Sequence, residues 1–473
     1  MYKEKIFNKI IITVLIISML LTGLILILGQ KSTPRITNYI VAGLDNNIVP
    51  LKTQITLNFN RIMDTQSVEN NFFLSPKIDG NFAWSGKNMT FTPKSKLEYD
   101  QQYSLNIKNA KDSEGNLMTQ EFSINFQTRQ SKIYFISAEK DQEDFLVEYT
   151  LKTKTKNVLV NRPISLYSFS QDGNTIAYTT KETNSISGKL FIKDLKNNVE
   201  KEIKIPNNLF DKKDTKIKFD KLIFGKNYIA ILAKGILENG ENISFVSDNK
   251  IYLYDFSTTE FTEFLPKNKI LNTDTMLFTP DFLNLMYRDE SQNYSYASLS
   301  GGEPVILGKY ISINGFNASQ DKLAITDSDP LTPEFQYVAY VGNDRQTVIL
   351  SDTQNYAIDA SFANISDKIA YASREGSYHD FDLYGVVVNN LTTKETKTLY
   401  FDKNYSIGLP RFSSDDKNIV FERYTLPELE SSIYDNRVIF NTVRPKYGEI
   451  LSVDVSTSTI TLITDNGKDP TFN

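Results

Sequence analysis

The sequence offers few groups from which a reactive site could be built. There is no Cys among its 473 residues, which removes thiol nucleophiles, thiolate metal sites, disulfides and a lipidated Cys. The single His, His379, cannot supply a site that needs two imidazoles, and within SREGSYHDFDLYG it reads as an exposed loop residue. No Gly-x-Ser-x-Gly elbow, HExxH pair or phosphate-cradling Gly-rich loop occurs. Carboxylates are plentiful, 57 Asp plus Glu, and two of them across a funnel could hydrolyse a glycosidic bond, but nothing singles out a pair. Asp112 and Glu114 could face a calcium ion, yet two carboxylates fall short of the roughly six to eight oxygens that ion takes. No metal and no cofactor are expected.

Recognition chemistry is better represented. The segment TLPELESSIYDNRVIFNTVRPKYG carries Tyr434, Arg437, Arg444 and Tyr447, with Arg423 and Tyr424 just before it. Tyr supplies rigid contact area and Arg a planar set of donors, the pair that dominates binding interfaces. These six residues are the candidate binding set. The competing reading of the segment is an extra hairpin packed on its own neighbours. Nucleic acid is not an expected partner, because 52 basic residues against 57 acidic ones leave a net charge of −5.

The elements that must position this set begin with an apolar run. Residues 10–29, IIITVLIISMLLTGLILILG, carry no charge and would span ~30 Å as a helix, enough to cross a bilayer. Lys3, Lys5 and Lys9 precede it, which predicts a cytoplasmic tail at 1–9 and the bulk of the chain outside the cell membrane. A cleaved signal peptide would have a shorter apolar run ending in small-x-small, whereas here the run continues to Leu28.

A linker at 30–34 leads to a segment, 35–128, of short alternating strands. Ile55, Leu57 and Phe59 share one face, with Thr56, Asn58 and Asn60 on the other, and turn signals separate the strands that follow. A β-sandwich is predicted, in which Asp64 caps a turn through Ser67 and Gly80 and Gly115 serve turns. The motifs are Met63-Asp64 with Ser67-Val68, Pro76 with Gly80, Phe91-Thr92-Pro93, Tyr103, and Asp112 with Gly115-Asn116. Through them the segment resembles the bacterial Ig-like domain of the SbsA type found in envelope proteins, and the resemblance implies a sandwich.

From 129 to 473 the sequence repeats. Phe169, Phe219, Phe278, Phe316, Phe362 and Phe412 each open a polar turn followed by an apolar strand, and Phe472 stands in DPTFN. The mean period is about 50 residues and each holds four strand-like pieces, the mark of a β-propeller blade. The last piece has no strands after it, while 132–160 has three strands and no first one. Joining them predicts a seven-bladed ring closed by residues 469–473, with Phe472 buried between blades. Asp172, Asp281, Asp321, Asp367 and Asp415 are expected to hold the turns. Phe169-Ser170-Gln171-Asp172-Gly173 with Ile176-Ala177-Tyr178 resembles the TolB-type, WD-repeat-like propeller family. The same repeat type precedes the hydrolase domain of prolyl-oligopeptidase-like peptidases, and here the sequence stops where that domain would begin.

The fold class is therefore all-β: an Ig-like sandwich plus a seven-bladed propeller after one transmembrane helix. The long segments 181–189, 234–249, 328–336, 373–380 and 425–447 all join second to third strands, which places them on one rim. An anchored extracytoplasmic binding or scaffold protein is expected, with an envelope protein or a cell-surface glycan as partner. The alternative is a glycosidase-like or lyase-like enzyme using acids in the propeller funnel.

Overall fold

The computed structural model describes residues 11–22, 33–44, 47–139, 142–170, 172–180, 182, 185–206, 215–239, 242–245, 250–267, 276–317, 319–333, 335–353, 356–374, 384–425, 429–434, 437–442 and 446–472. The chain divides into two compact units, Met1–Arg129 and Gln130–Asn473.

Residues 11–22 are helical and their apolar side chains are exposed. Among the described residues no helix is long and apolar enough to cross a membrane. The membrane span expected at 10–29 is thus not shown, and the rest of that stretch lies outside the described residues.

The first unit carries two four-stranded sheets. One orders Ile36–Val41, Ile55–Phe59, Asn88–Pro93 and Gly80–Ser85; the other orders Ile48–Val49, Phe122–Thr128, Gln102–Ile107 and Phe72–Ser75. Alternation decides which side chains meet: Ile55, Leu57 and Phe59 are buried and the residues between them are not. They join Met89, Phe91, Tyr103 and Leu105 in one core. Asp64 caps the short helix Thr65–Asn70 by accepting from the Ser67 N–H at 3.1 Å. Gly80 departs from the expectation of a turn. It lies in a strand, and a β-carbon there would sit 2.2 Å from the Phe91 ring, so close packing demands the glycine.

Among the described residues the second unit holds seven four-stranded blades. Blade 2 comprises Ile164–Phe169, Thr175–Thr180, Leu190–Asp194 and Val199–Ile203. Blade 3 comprises Lys216–Phe224, Tyr228–Asn239, Lys250–Asp255 and Phe261–Glu263, with Asn242–Phe245 added to its second strand as a hairpin. Blade 4 runs from Leu277–Phe278 to Val305–Gly308, blade 5 from Ser312–Phe316 to Thr347–Ile349, and blade 6 from Tyr356–Phe362 to Thr396–Phe401. Blade 7 comprises Tyr405–Phe412, Asn418–Thr425, Gly448–Asp454 and the first half of Ile460–Phe472. The second half of that 13-residue strand crosses to Lys132–Glu139 and completes blade 1 with Gln142–Thr150 and Thr155–Val160.

The inner strands read as unbroken apolar runs because neighbouring blades cover both of their faces. In Thr175–Thr180 the four central residues are all buried, and the same holds in Lys250–Asp255. Seven hydrophobic clusters result, each shared by two consecutive blades. Ile136 and Leu146 meet Ile164 and Tyr178 between blades 1 and 2, and Val420 and Ile450 meet Ile133 and Phe135 between blades 7 and 1. The other five join blades 2 to 3, 3 to 4, 4 to 5, 5 to 6 and 6 to 7. The ring is closed.

The recurrent Phe ends each first strand opposite the second residue of the next strand in its blade. Phe169 faces Ile176, Phe278 faces Leu285, Phe316 faces Leu323, Phe362 faces Ile369, Phe412 faces Ile419 and Phe472 faces Ile133. In blade 3 the equivalent is Phe224 opposite Ile229, not Phe219, which pairs with Ala233. Phe472 is half-buried instead of fully enclosed, as are Phe169, Phe316 and Phe362. The turn aspartates work as expected except Asp367, whose carboxylate accepts from Lys322 of blade 5 and from Thr392, while Asp416 of blade 7 accepts the Ile365 and Ser366 N–H groups of that turn; Asp321 accepts from Asn317 within its own. Asp172 accepts from Ser170 and Asn174, Asp281 from Thr279 and Leu283, and Asp415 from Ser413 and Lys417.

Candidate functional site

Of the six candidate residues, three have described side chains; Arg423 and Tyr447 reach into neighbouring blades, and Tyr424 bonds within its own. Arg423 sits in the second strand of blade 7, opposite Ile407 and Glu449. Its Nε donates to Glu449, its Nη1 donates to the Tyr400 hydroxyl of blade 6 at 3.0 Å, and its guanidinium lies 4.0 Å from the centre of the Tyr405 ring. Such a planar cation fills the gap between two blades with directional bonds and a stacked face. Tyr424, on the opposite face of the strand, donates to Glu422 at 2.6 Å. Tyr447 donates to Asp144 of blade 1 at 2.9 Å.

Tyr434 and Arg437 face each other at the tip of the hairpin Leu429–Tyr434 and Arg437–Thr442; their side chains are outside the described ones. Arg444 and His379 lie outside the described residues. The 425–447 insertion thus has the extra hairpin of the second reading in its backbone.

Asp144 gathers cations across the closing junction. Its carboxylate, with a side chain 3% exposed, receives Lys468 at 2.7 Å and Lys446 at 3.2 Å as well as Tyr447. Burial works against the ionised carboxylate, but the hydrogen bond and charge of Lys468, with Tyr447 and Lys446, hold it below the usual carboxylate range.

A second polar group lies deeper, where the first strands approach the propeller axis. Six of the seven first strands carry a register shift, which adds curvature where they must turn around the axis. In blade 6 and blade 1 the shift places Asp359 and Asp469 at positive φ, 57° and 52°. Glu422, 4% exposed, accepts the Asp469 N–H and the Tyr424 hydroxyl. Burial pushes its carboxyl up to about 7; the neighbouring Asp469 charge adds to the rise, and hydrogen bonds and Arg411 restrain it. Arg411 donates to the Pro410 carbonyl at 3.0 Å and feels the charges of Asp359 and Glu422. Tyr167 donates to the Tyr134 carbonyl at 3.0 Å and to the Asp469 carbonyl.

Nothing in the composition marked Glu422, Asp469 or Arg411. The available signal was the recurrence of Pro two residues before the strand-ending Phe, as Pro410 and Pro470, in the two adjoining first strands. On the loop rim, Glu238 ties the segment 182–187 to the hairpin of blade 3: it accepts from Ser185, the Ile186 N–H and Lys216. Asp112 accepts from Asn116, the Glu114 N–H and Arg61, and Arg61 also reaches Glu114. Those bonds organise a loop. Among the described residues no group of three or more His, Asp or Glu is arranged to hold a metal ion.

Residues 30–128 match the family model of the bacterial Ig-like domain. No curated protein matches the chain. Similar solved structures include the β-propeller domain of the Trilobed protease from Pyrococcus furiosus, at 10% identity and a TM-score of 0.45, covering 79% of this chain and 97% of that one. TolB from Acinetobacter baumannii follows at 13% identity and a TM-score of 0.39, covering 80% of each chain. Porphyromonas gingivalis dipeptidyl peptidase 4 stands at 10% identity and 0.41, covering 71% of this chain and 50% of that one. With TM-scores below 0.5, the architecture rests on the strand pairing and blade junctions described above. The chain is an all-β protein with a bacterial Ig-like domain, and its structural neighbours include TolB-type propellers.

Proposed function

We propose that this chain is an extracytoplasmic binding or scaffold protein, anchored by residues 10–29, in which an Ig-like spacer of the SbsA type carries a seven-bladed ring. The observation that supports this most is the division of labour in the second unit. All seven blade junctions are filled by apolar cores, giving a rigid ring, while the added hairpins at Asn242–Phe245 and Leu429–Thr442 extend one rim. Rigid scaffolds with length added on one loop face are the usual form of a recognition platform. The uncharged stretch 10–29 and the preceding lysines support the anchor and its orientation. The partner is an envelope protein or a cell-surface glycan.

Protease added to intact protoplasts, combined with pull-down from detergent-solubilised envelope, tests the proposal. Degradation of the large domains before lysis and retention of an envelope component are expected. Survival of those domains until lysis overturns the orientation.

A further inference from the structure

Blade 3 departs from its siblings at two places that meet in space. In blades 2, 4, 5, 6 and 7, six residues separate the strand-ending Phe from its partner, as in 170–175 between Phe169 and Ile176. In blade 3 only four, 225–228, separate Phe224 from Ile229, and the turn has no Asp. The residue that follows the third strand also differs. In blades 2, 4, 6 and 7 its N–H donates to the first turn, and it is Leu195, Leu299, Leu391 or Val455. In blade 3 the same bond runs from the N–H of an aromatic residue, Phe256, to the Asn227 carbonyl at 3.1 Å.

The shortened turn leaves a cleft of about 320 Å³ beside the full-length turn of blade 2, on the rim opposite the long loops. One wall is apolar, formed by Phe224 and Phe256 with ring centres 5.5 Å apart and planes within 11°. The other wall is polar, with Ser170, Asp172 and Thr175; within it the Ser170 hydroxyl donates to Asp172 at 2.6 Å, and Asp172 also accepts from the Asn174 N–H. Lys226 also lines the cleft, exposed and without a hydrogen bond or ion pair among the described residues. Its floor is fixed, because a β-carbon on Gly225 would lie 2.8 Å from the Phe278 ring of blade 4.

We infer that this cleft is a binding subsite for one sugar ring of a glycan. An apolar wall facing a wall of hydroxyl, carboxylate and ammonium groups suits a ligand with one C–H face and an edge of hydroxyls. The volume is at the lower end for a small-ligand pocket and fits a ring of that size. A wholly apolar side chain would leave the Lys226 ammonium desolvated without a partner. The inference goes beyond the binding reading above, which looks to the opposite rim, and rests on it only for the source of the glycan; binding of a soluble sugar does not depend on that source.

The full chain in detergent is titrated with tetramers of glucose, mannose and N-acetylglucosamine, with saturation-transfer NMR and calorimetry as readouts. At least one tetramer is expected to bind. Lys226→Ala and Phe256→Leu should each weaken it on the order of tenfold, and Leu is the residue sibling blades 2, 4 and 6 already tolerate there. A variant with two residues inserted between Lys226 and Asn227, restoring the sibling turn length, should lose binding while keeping the circular-dichroism spectrum. Absence of binding by all three tetramers overturns the inference and leaves the protease test of orientation standing. So do unchanged affinities in the three variants.

Discussion

Phe472 pairs with Ile133 in the same register that Phe169 keeps with Ile176, so the last described residue of the chain completes the first blade. Asp469 strengthens this closure, since its N–H goes to Glu422 of blade 7 and its carbonyl receives Tyr167 of blade 2. Removing residues 469–473 would strip these bonds and expose two sheet edges. The melting temperature of the truncated protein should fall by several degrees or more. Phe472→Ala alone should cost about 2 kcal/mol, below the figure for a fully enclosed Phe because this ring is half-buried. An unchanged melting temperature after truncation would contradict the closure.

Glu422 sets a pH dependence. Its folded carboxyl titrates near 7 against 4.5 when unfolded, so between those values the folded state holds the extra proton. Stability should therefore fall as pH rises from about 4.5 to 7, by about 3 kcal/mol for a shift of that size. Asp469, also raised by burial, acts in the same direction above 3.8, and Asp144, lowered, acts oppositely at more acid pH. Urea midpoints at pH 5 and pH 8 check this: Glu422→Gln should flatten the difference, and a wild-type curve that is already flat would refute the assignment.

The cation cluster on Asp144 gives an unequal pair of substitutions. Asp144→Ala removes a buried acceptor shared by three donors and should cost about 2 kcal/mol. Lys446→Ala removes a side chain that is 41% exposed and should cost under about 1 kcal/mol. Chemical denaturation of the two variants side by side measures the asymmetry; equal losses would mean that Asp144 is not the hub.

Trp84, the only Trp, stacks on Phe59 and donates to Glu69 at 2.9 Å within the first unit. Its fluorescence should report the unfolding of that unit, separately from the circular-dichroism transition of the propeller. Coincidence of the two transitions at every denaturant concentration would argue that the units unfold as one.

The register of the closing strand was legible because period and residue type travel together: an apolar run covered on both faces leaves a mark that survives repetition. The alignment of blade 3 was not, because FDKLIFGKNYIAI holds two Phe and only the pairing with Ile229 shows which one ends the strand. Arg423 and Tyr447 were legible as chemistry but not as location. Their partners, Tyr400 and Asp144, come from neighbouring blades, and such contacts depend on how blades stack. Glu422 was invisible for the same reason: its elevated proton affinity comes from burial and from Asp469, 47 residues away in sequence.

One strand serving two blades also dictates an order of events. Lys132–Glu139 is made early, yet its partner edge is supplied only when residues 467–472 emerge. Until then the growing chain carries an unpaired edge at each end of an open arc, the kind of surface that recruits other chains. The ring cannot be finished piecemeal as it is synthesised. Whatever compartment receives this protein must shelter that arc until its last strand arrives.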